Sequence, residues 1–269
     1  MSEPSVSYAG VLRQEAEVLR EFGLRARPRS PTGDVLRHLV RNPVAIAGMA
    51  ILAFLVLVAV FAPLLAPYNP TEQTLTLRNS PPSAEHLMGM DALGRDVLSR
   101  IIYGARISLF IGLFAVGSAV TVGTLVGAVA GYAGGWVDNV LMRIMDIMLA
   151  FPALLLAIAV VAILGPGLTN ALYAIAFVSI PVYARMVRAS ILSVRELDYV
   201  LAARAVGVSG GRILFRNVLP NSLTPVIVQA TLGIGSAILE AAALGFLGLG
   251  AQAPQPEWGL MLAQHRNLV

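Results

Sequence analysis

Uncharged runs alternate with charged stretches along this chain, and the four longest runs cover residues 42–71, 107–137, 147–184 and 217–239. Each exceeds the roughly 20 apolar residues that cross about 30 Å of hydrocarbon. The third run is too long for one crossing, and Gly165-Pro166-Gly167 divides it at a turn. The pattern therefore predicts five spans, at about 44–66, 107–131, 139–164, 168–187 and 222–248. In lipid these must be helices, because only helices and closed barrels satisfy every backbone polar group. The two-residue alternation of a barrel is absent. The expected fold class is all-α, a polytopic helical bundle in a membrane.

The polar stretches carry their own periodicity. In residues 91–106, Leu93, Val97, Leu98, Ile101 and Ile102 form one helical stripe, with Arg95, Asp96, Ser99 and Arg100 on the other side. This pattern predicts a helix lying along the membrane interface rather than crossing it. In residues 1–41, Tyr8, Val11, Leu12, Leu19 and Phe22 suggest a second amphipathic segment, at the cytosolic membrane interface or as a solvated or partner-packed tail. Interleaved acidic residues argue against a cleavable signal. Two domains follow: this segment at 1–41 and a membrane domain at 42–269. Within the latter, the segment at about 190–220 predicts two short helices, over 196–206 and 210–218. Gly207 would stop the first, Ser209 would cap the second and Pro220 would end it.

Composition narrows the chemistry. The chain is 57% hydrophobic and 13% charged, with mean hydropathy +0.76. That is about half the charge of a soluble domain. It holds no cysteine, so no disulfide or thiolate metal site is expected. Lysine is also absent and all nineteen basic residues are arginine, which excludes a GxxxxGK phosphate loop. If ATP drives this protein, another chain hydrolyses it. His86 and Asp91 are of metal-ligand type but stand alone, and turn or capping roles are expected of them. Gly207-Val208-Ser209-Gly210-Gly211 matches a nucleophile-elbow pattern, but that motif needs a strand before its serine. No catalytic residue and no bound cofactor are expected.

The net charge of +4 is explained by topology rather than by nucleic acid. Arg13, Arg20, Arg25, Arg27, Arg29, Arg37 and Arg41 precede the first span. Arg185, Arg188, Arg195, Arg204, Arg212 and Arg216 lie between the fourth and fifth. Positive loops stay inside, so both regions and the N-terminus are expected in the cytosol, with 67–106 and 249–269 outside. Gly123, Gly127 and Gly131 recur at four-residue spacing, which suits close helix packing within this chain or against a partner. Arg143 and Asp146 share a helix face and are expected to pair. Pro152 would permit a bend. Glu240 is the one acidic residue deep in a predicted span, and either holds two helices together or faces a water-filled pathway.

The residues 201–220, LAARAVGVSGGRILFRNVLP, resemble the "EAA" coupling loop of ABC-importer permeases. Ala202, Ala203, Gly207, Leu219 and Pro220 fall in register with that motif. Leu201 stands where the family has glutamate, and Asn217 where it has an aliphatic residue. HLMGMDALGRDVLSR, GYAGGWVDNVLMRIMDIMLAFPALLLAI and AALGFLGLGAQAPQPEWGLML extend the resemblance over about 35–265. The family is that of dipeptide/oligopeptide/nickel ABC-importer permeases, and the chain is most similar to its C-type dipeptide subunit.

The resemblance implies a type I importer fold in the bacterial inner membrane and a heterodimer with a second permease. It also implies two ATPase subunits, which hold ATP and Mg, and an extracytoplasmic binding protein. Tyr199, Leu201, Ala202, Ala203, Arg204, Gly207, Arg212, Arg216, Leu219 and Pro220 would form the surface that the ATPase receives. The arginines would pair with its carboxylates, although arginine beside a membrane also binds anionic lipid. Glu240 becomes a candidate contact for a peptide's amino group. Nickel or glutathione is the alternative cargo, and an ion-coupled secondary transporter the more distant alternative. The family carries a sixth span after the EWG segment. The sequence ends at Val269 without one, and truncation is the expected reason.

Overall fold

A computed structural model describes residues 41–265, and the amphipathic stripe expected through Tyr8 and Phe22 lies outside them. The chain divides into two compact units, up to Phe54 and from Leu55 onward. In the first, α1 (Pro43–Val60) begins where Asn42 Oδ1 accepts from Val44 N at 3.0 Å, with Pro43 in the first turn. Val44, Ile51, Leu52 and Phe54 are exposed there, as a lipid-facing helix requires.

In the second unit, Pro63 alters the expected first span. It lacks the N–H needed to continue the ladder, so α1 ends and α2 (Ala62–Leu65) restarts after a break at Phe61. The next helix differs more. Residues 97–106 are not a separate interfacial helix but the first turns of α3 (Val97–Ala133), which runs 37 residues, or about 55 Å. The charged side of this stretch faces inward: Arg95, Asp96, Ser99 and Arg100 are buried, whereas Leu93 is exposed. Asp91 compensates the two arginines in part, its Oδ2 lying 2.6 Å from Arg95 Nε and 3.5 Å from Arg100 Nε, while Arg95 Nη1 and Arg100 Nη2 make no hydrogen bond among the described residues. Asp96 caps α3, with Oδ2 accepting from Ser99 N at 2.8 Å and Oγ at 2.7 Å. Its Oδ1 holds His86 Nδ1 at 3.0 Å.

Gly134 (φ 65°) and Gly135 (φ 57°) turn the chain between α3 and α4 (Gly135–Leu149) in a conformation that side chains resist. α5 (Ala153–Leu164) follows at 93° to α4, so Pro152 does more than bend a span. It lacks an N–H and bars Phe151 from helical geometry, which breaks the span in two. The turn at Gly165 and Gly167 leads to α6 (Leu168–Val194). Then come α7 (Asp198–Ala205), α8 (Gly210–Ile213), a π-helical turn at Leu214–Val218, α9 (Leu219–Ser222), α10 (Thr224–Phe246) and α11 (Trp258–His265). Among the described residues no strand forms beyond a single bridge between Met90 and Asp96. Among the described residues four helices are long and apolar enough to cross a membrane, and the broken α4–α5 pair makes up to five.

The core lies where α3 crosses α6 and α10. A Cβ on Gly123 would stand 2.7 Å from Tyr183 Cβ, and one on Gly127 2.8 Å from Val187 Cβ. The glycine stripe therefore packs within this chain, against α6. Gly112 does the same for α10, where a Cβ would meet Ile234 Cγ2 at 2.9 Å. Ile111, Ala115, Ala119, Ile175, Val187, Ile191 and Leu244 fill the space between.

Candidate functional site

The segment from α7 to α9 sits at the end of the bundle where α3 finishes and α6 runs out. Val200, Ile213 and Val218 are fully buried and anchor it in the core. Tyr132 Oη, near the end of α3, donates to Gly210 O at 2.7 Å. Arg195 Nη1 donates to Gly131 O at 3.0 Å, covering a carbonyl in the last turn of α3. The segment is thus bolted to two long helices.

Its own geometry follows from three residues. Gly207 (φ 79°) closes α7 with a Schellman pair: Gly207 N donates to Arg204 O at 2.9 Å and Val208 N to Ala203 O at 3.1 Å. Ser209 occupies the N-cap position of α8, but its side chain makes no capping bond, contrary to expectation. Pro220 does not end the helical run either. Lying in the first turn of α9, it is accommodated by the π turn, where Leu219 N reaches back five residues to Leu214 O. Asn221 Nδ2 donates to Asn217 O at 2.7 Å and to Tyr199 Oη at 3.2 Å. Tyr199 Oη donates to the same Asn217 carbonyl at 3.2 Å, clamping α7 to the π turn.

What remains outward is an apolar knob ringed by guanidinium groups. Tyr199, Leu201, Ala202, Gly207 and Pro220 are exposed, as are Arg204, Arg212 and Arg216. Among the described residues these three arginines make no ion pair. Ala203 and Leu219 instead turn partly into the core and support the knob from behind. Sequence reasoning missed Val206 and Phe215, exposed at 78% and 65%, which are the most protruding apolar groups here.

Charged pairs at the same end also differ from expectation. Asp146 pairs with Arg185 of α6 rather than with Arg143, which is exposed. Asp138 holds Arg188 bidentately, at 2.5 and 2.6 Å. Two interhelical pairs therefore join α4 to α6, just before α6 leads into the knob.

At the opposite end, residues 67–100 and 249–264 form a cap around α3's first turn. Asp91 Oδ1 accepts from Leu93 N and Arg95 N, a turn role as expected, and Oδ2 accepts from Arg95 Nε at 2.6 Å. Arg95 also reaches Gln264, and Arg100 lies within 3.5 Å of Asp91. Glu257, which the sequence reading passed over, caps α11 by accepting from Gly259 N and Leu260 N, each at 2.8 Å. Glu240, on α10, is half-buried and makes no hydrogen bond or ion pair among the described residues. Among these residues no group of three His, Asp or Glu converges as metal ligands.

Residues 123–267 match the family described as binding-protein-dependent transport system inner membrane component. Residues 30–82 match the N-terminal TM domain of oligopeptide transport permease C. The dipeptide transport system permease protein DppC of Alkalihalophilus pseudofirmus is 55% identical over 240 residues, 89% of this chain and 79% of that protein. The di/tripeptide permease DppC of Pseudomonas aeruginosa is 49% identical, covering 89% of this chain and 81% of its own length. The glutathione permease GsiD of Pectobacterium atrosepticum is 45% identical, with 89% and 80% covered. The solved MetNI methionine ABC transporter, in an inward-facing conformation, contains a chain that matches 63% of this one and 81% of itself. Its TM-score is 0.55 at 20% identity, a likeness of fold.

Proposed function

We propose that this chain, which belongs to the family of inner-membrane components of binding-protein-dependent transport systems, is one permease subunit of an ATP-driven importer of di- and oligopeptides. The 55% identity to a dipeptide permease over 89% of the chain carries the cargo assignment. A second permease completes the pathway, two ATPase subunits bind on the cytosolic side, and an extracytoplasmic binding protein delivers the peptide. The N-terminus and the knob face the cytosol, in line with the arginine distribution. The 45% identity to a glutathione permease favours glutathione, itself a small peptide, as the second cargo.

The geometry suggests how coupling works. The knob presents Leu201, Val206 and Phe215 for burial in a groove of the ATPase, and Arg204, Arg212 and Arg216 meet carboxylates at its rim. Its fixed attachment to α3 and α6 lets nucleotide-driven movement of the ATPase tilt those helices rather than deform a flexible loop. Glu240 is the residue we assign to the pathway.

The test is reconstitution of the complex and measurement of binding-protein-stimulated ATPase activity with dipeptide, glutathione and nickel. Stimulation by dipeptide is expected to be strongest. Gly207→Asp or deletion of 199–212 is expected to abolish copurification of the ATPase while the chain still inserts. Retention of the ATPase by the deletion variant would remove the coupling role.

A further inference from the structure

The polar side chains of α10 are not scattered. Between Val226 and Phe246 they are Gln229, Thr231, Ser236 and Glu240. At about 100° per residue, Gln229, Ser236 and Glu240 fall within an arc of roughly 40°. Thr231 lies on the far side, and its hydroxyl satisfies itself by donating to Val228 O at 2.7 Å. The other three make no side-chain hydrogen bond or ion pair among the described residues. Ser236 is exposed, and Gln229 and Glu240 are half-buried.

The stripe runs between two faces of the helix. On one flank Ala237, Ala241 and Leu244 are buried against the bundle. On the other, Leu232 and Leu239 are exposed at 66% and 73%, which suits lipid. Between Gln229 and Ser236 lies Gly233, where the Tyr183 hydroxyl of α6 occupies the space a Cβ would fill. Tyr183 is only 2% exposed, and its hydroxyl also makes no hydrogen bond among the described residues. Four polar groups from two helices thus line one seam with no acceptor or donor supplied by the described residues. In hydrocarbon a single such carboxylate costs about 2.5–3.5 kcal/mol on insertion scales. A seam of this kind is stable only where water or a polar partner reaches it.

We propose that this seam is a wall of the translocation pathway, and that Glu240 receives the ammonium group at the amino terminus of the passing peptide. The inference rests on the peptide-importer reading above. An ionised carboxylate offers only acceptors and an ammonium only donors, so the two match without a third group. The amino terminus is also the one cation that every unblocked peptide carries whatever its side chains. Gln229, Ser236 and the Tyr183 hydroxyl each both donate and accept, which suits the peptide units behind it.

The chain contains no cysteine, so Ser236→Cys places its only thiol in the seam and Leu239→Cys its only thiol on the apolar flank. In proteoliposomes of the complete transporter, each is treated with a methanethiosulfonate bearing either an ammonium or a sulfonate group. Ser236→Cys is expected to react about tenfold faster with the ammonium reagent than with the sulfonate, because one nearby carboxylate in water attracts the first and repels the second. Adding Glu240→Gln is expected to erase that preference while the two permeases still copurify. Dialanine is expected to slow the reaction and N-acetyl-dialanine to leave it unchanged. Leu239→Cys is expected to resist both reagents.

Equal rates with the two reagents, or equal protection by the two peptides, would overturn the assignment. Separation of the permeases in Glu240→Gln would move Glu240 to the subunit contact and overturn it as well. Failure of the underlying reading looks different: the unmodified transporter then shows no peptide uptake and no ATPase stimulation by binding protein.

Discussion

Single atoms decide the packing of α3. The Gly123 and Gly127 hydrogens point at the α6 backbone and the side chains of Tyr183 and Val187, so adding carbon there forces two long helices apart. Overpacking of this kind costs about 1–3 kcal/mol. Gly127→Val is expected to lower the melting temperature of the detergent-solubilised chain, whereas Gly117→Val, with nothing within 4 Å, leaves it unchanged. An equal drop in both would mean the contact is not structural. Gly207 acts through its backbone instead. Nothing lies within 4 Å of it, so Gly207→Ala adds no clash, only a left-handed conformation that costs about 1–2 kcal/mol. The expected result is weaker ATPase copurification together with a modest fall in melting temperature, read by quantitative pull-down and thermal unfolding. Asp138→Asn leaves Arg188 half-served and is expected to cost about 1–3 kcal/mol. A double-mutant cycle with Arg188→Gln checks that the loss belongs to the pair.

At the scale of elements, hydrophobic run length was a sound guide to where helices cross, because lipid thickness imposes it. It was a poor guide to where they stop. Residues 97–106 carry enough charge to look interfacial, and the pattern does not reveal that Arg95 and Arg100 point inward. Their partners, Asp91, Gln264 and the carbonyls of Pro70 and Pro254, come from distant parts of the chain. The same limit hid the Asp146–Arg185 pair, whose members stand 39 residues apart. Helix stops written in local chemistry were legible: Gly207 and the Gly165-Pro166-Gly167 turn lie where expected. Pro152 was legible as a bend but not as a 93° corner, since the angle depends on what α4 and α5 pack against. Pro152→Ala is expected to let the halves join. Spin labels at Asn139 and Ile163 then move apart, from about 25 Å across the corner to roughly 36 Å along a straight helix. An unchanged distance would assign the corner to packing alone.

At the scale of the whole molecule, orientation is open to direct measurement. In right-side-out membrane vesicles, an impermeant maleimide is expected to label Asn79→Cys and to spare Ala205→Cys, with the reverse in inverted vesicles. Labelling of Ala205→Cys from outside would place the knob on the wrong face and end the importer assignment. The candidate surface itself was legible in outline, because its spacing motif is local. Its most prominent groups, Val206 and Phe215, became visible only once the fold showed which side of α7 and the π turn faced away from the core.

The continuity of α3 has a mechanical meaning. Its first turn is gripped by the charged cap through Asp96 and Arg100, and its last by Tyr132 and Gly131 against the segment that carries the knob. No proline interrupts its 37 residues. A rod without a joint cannot rock at one extremity alone. If the knob docks the ATPase as proposed above, whatever settles on the cap and whatever grips the knob would act on opposite ends of one helix.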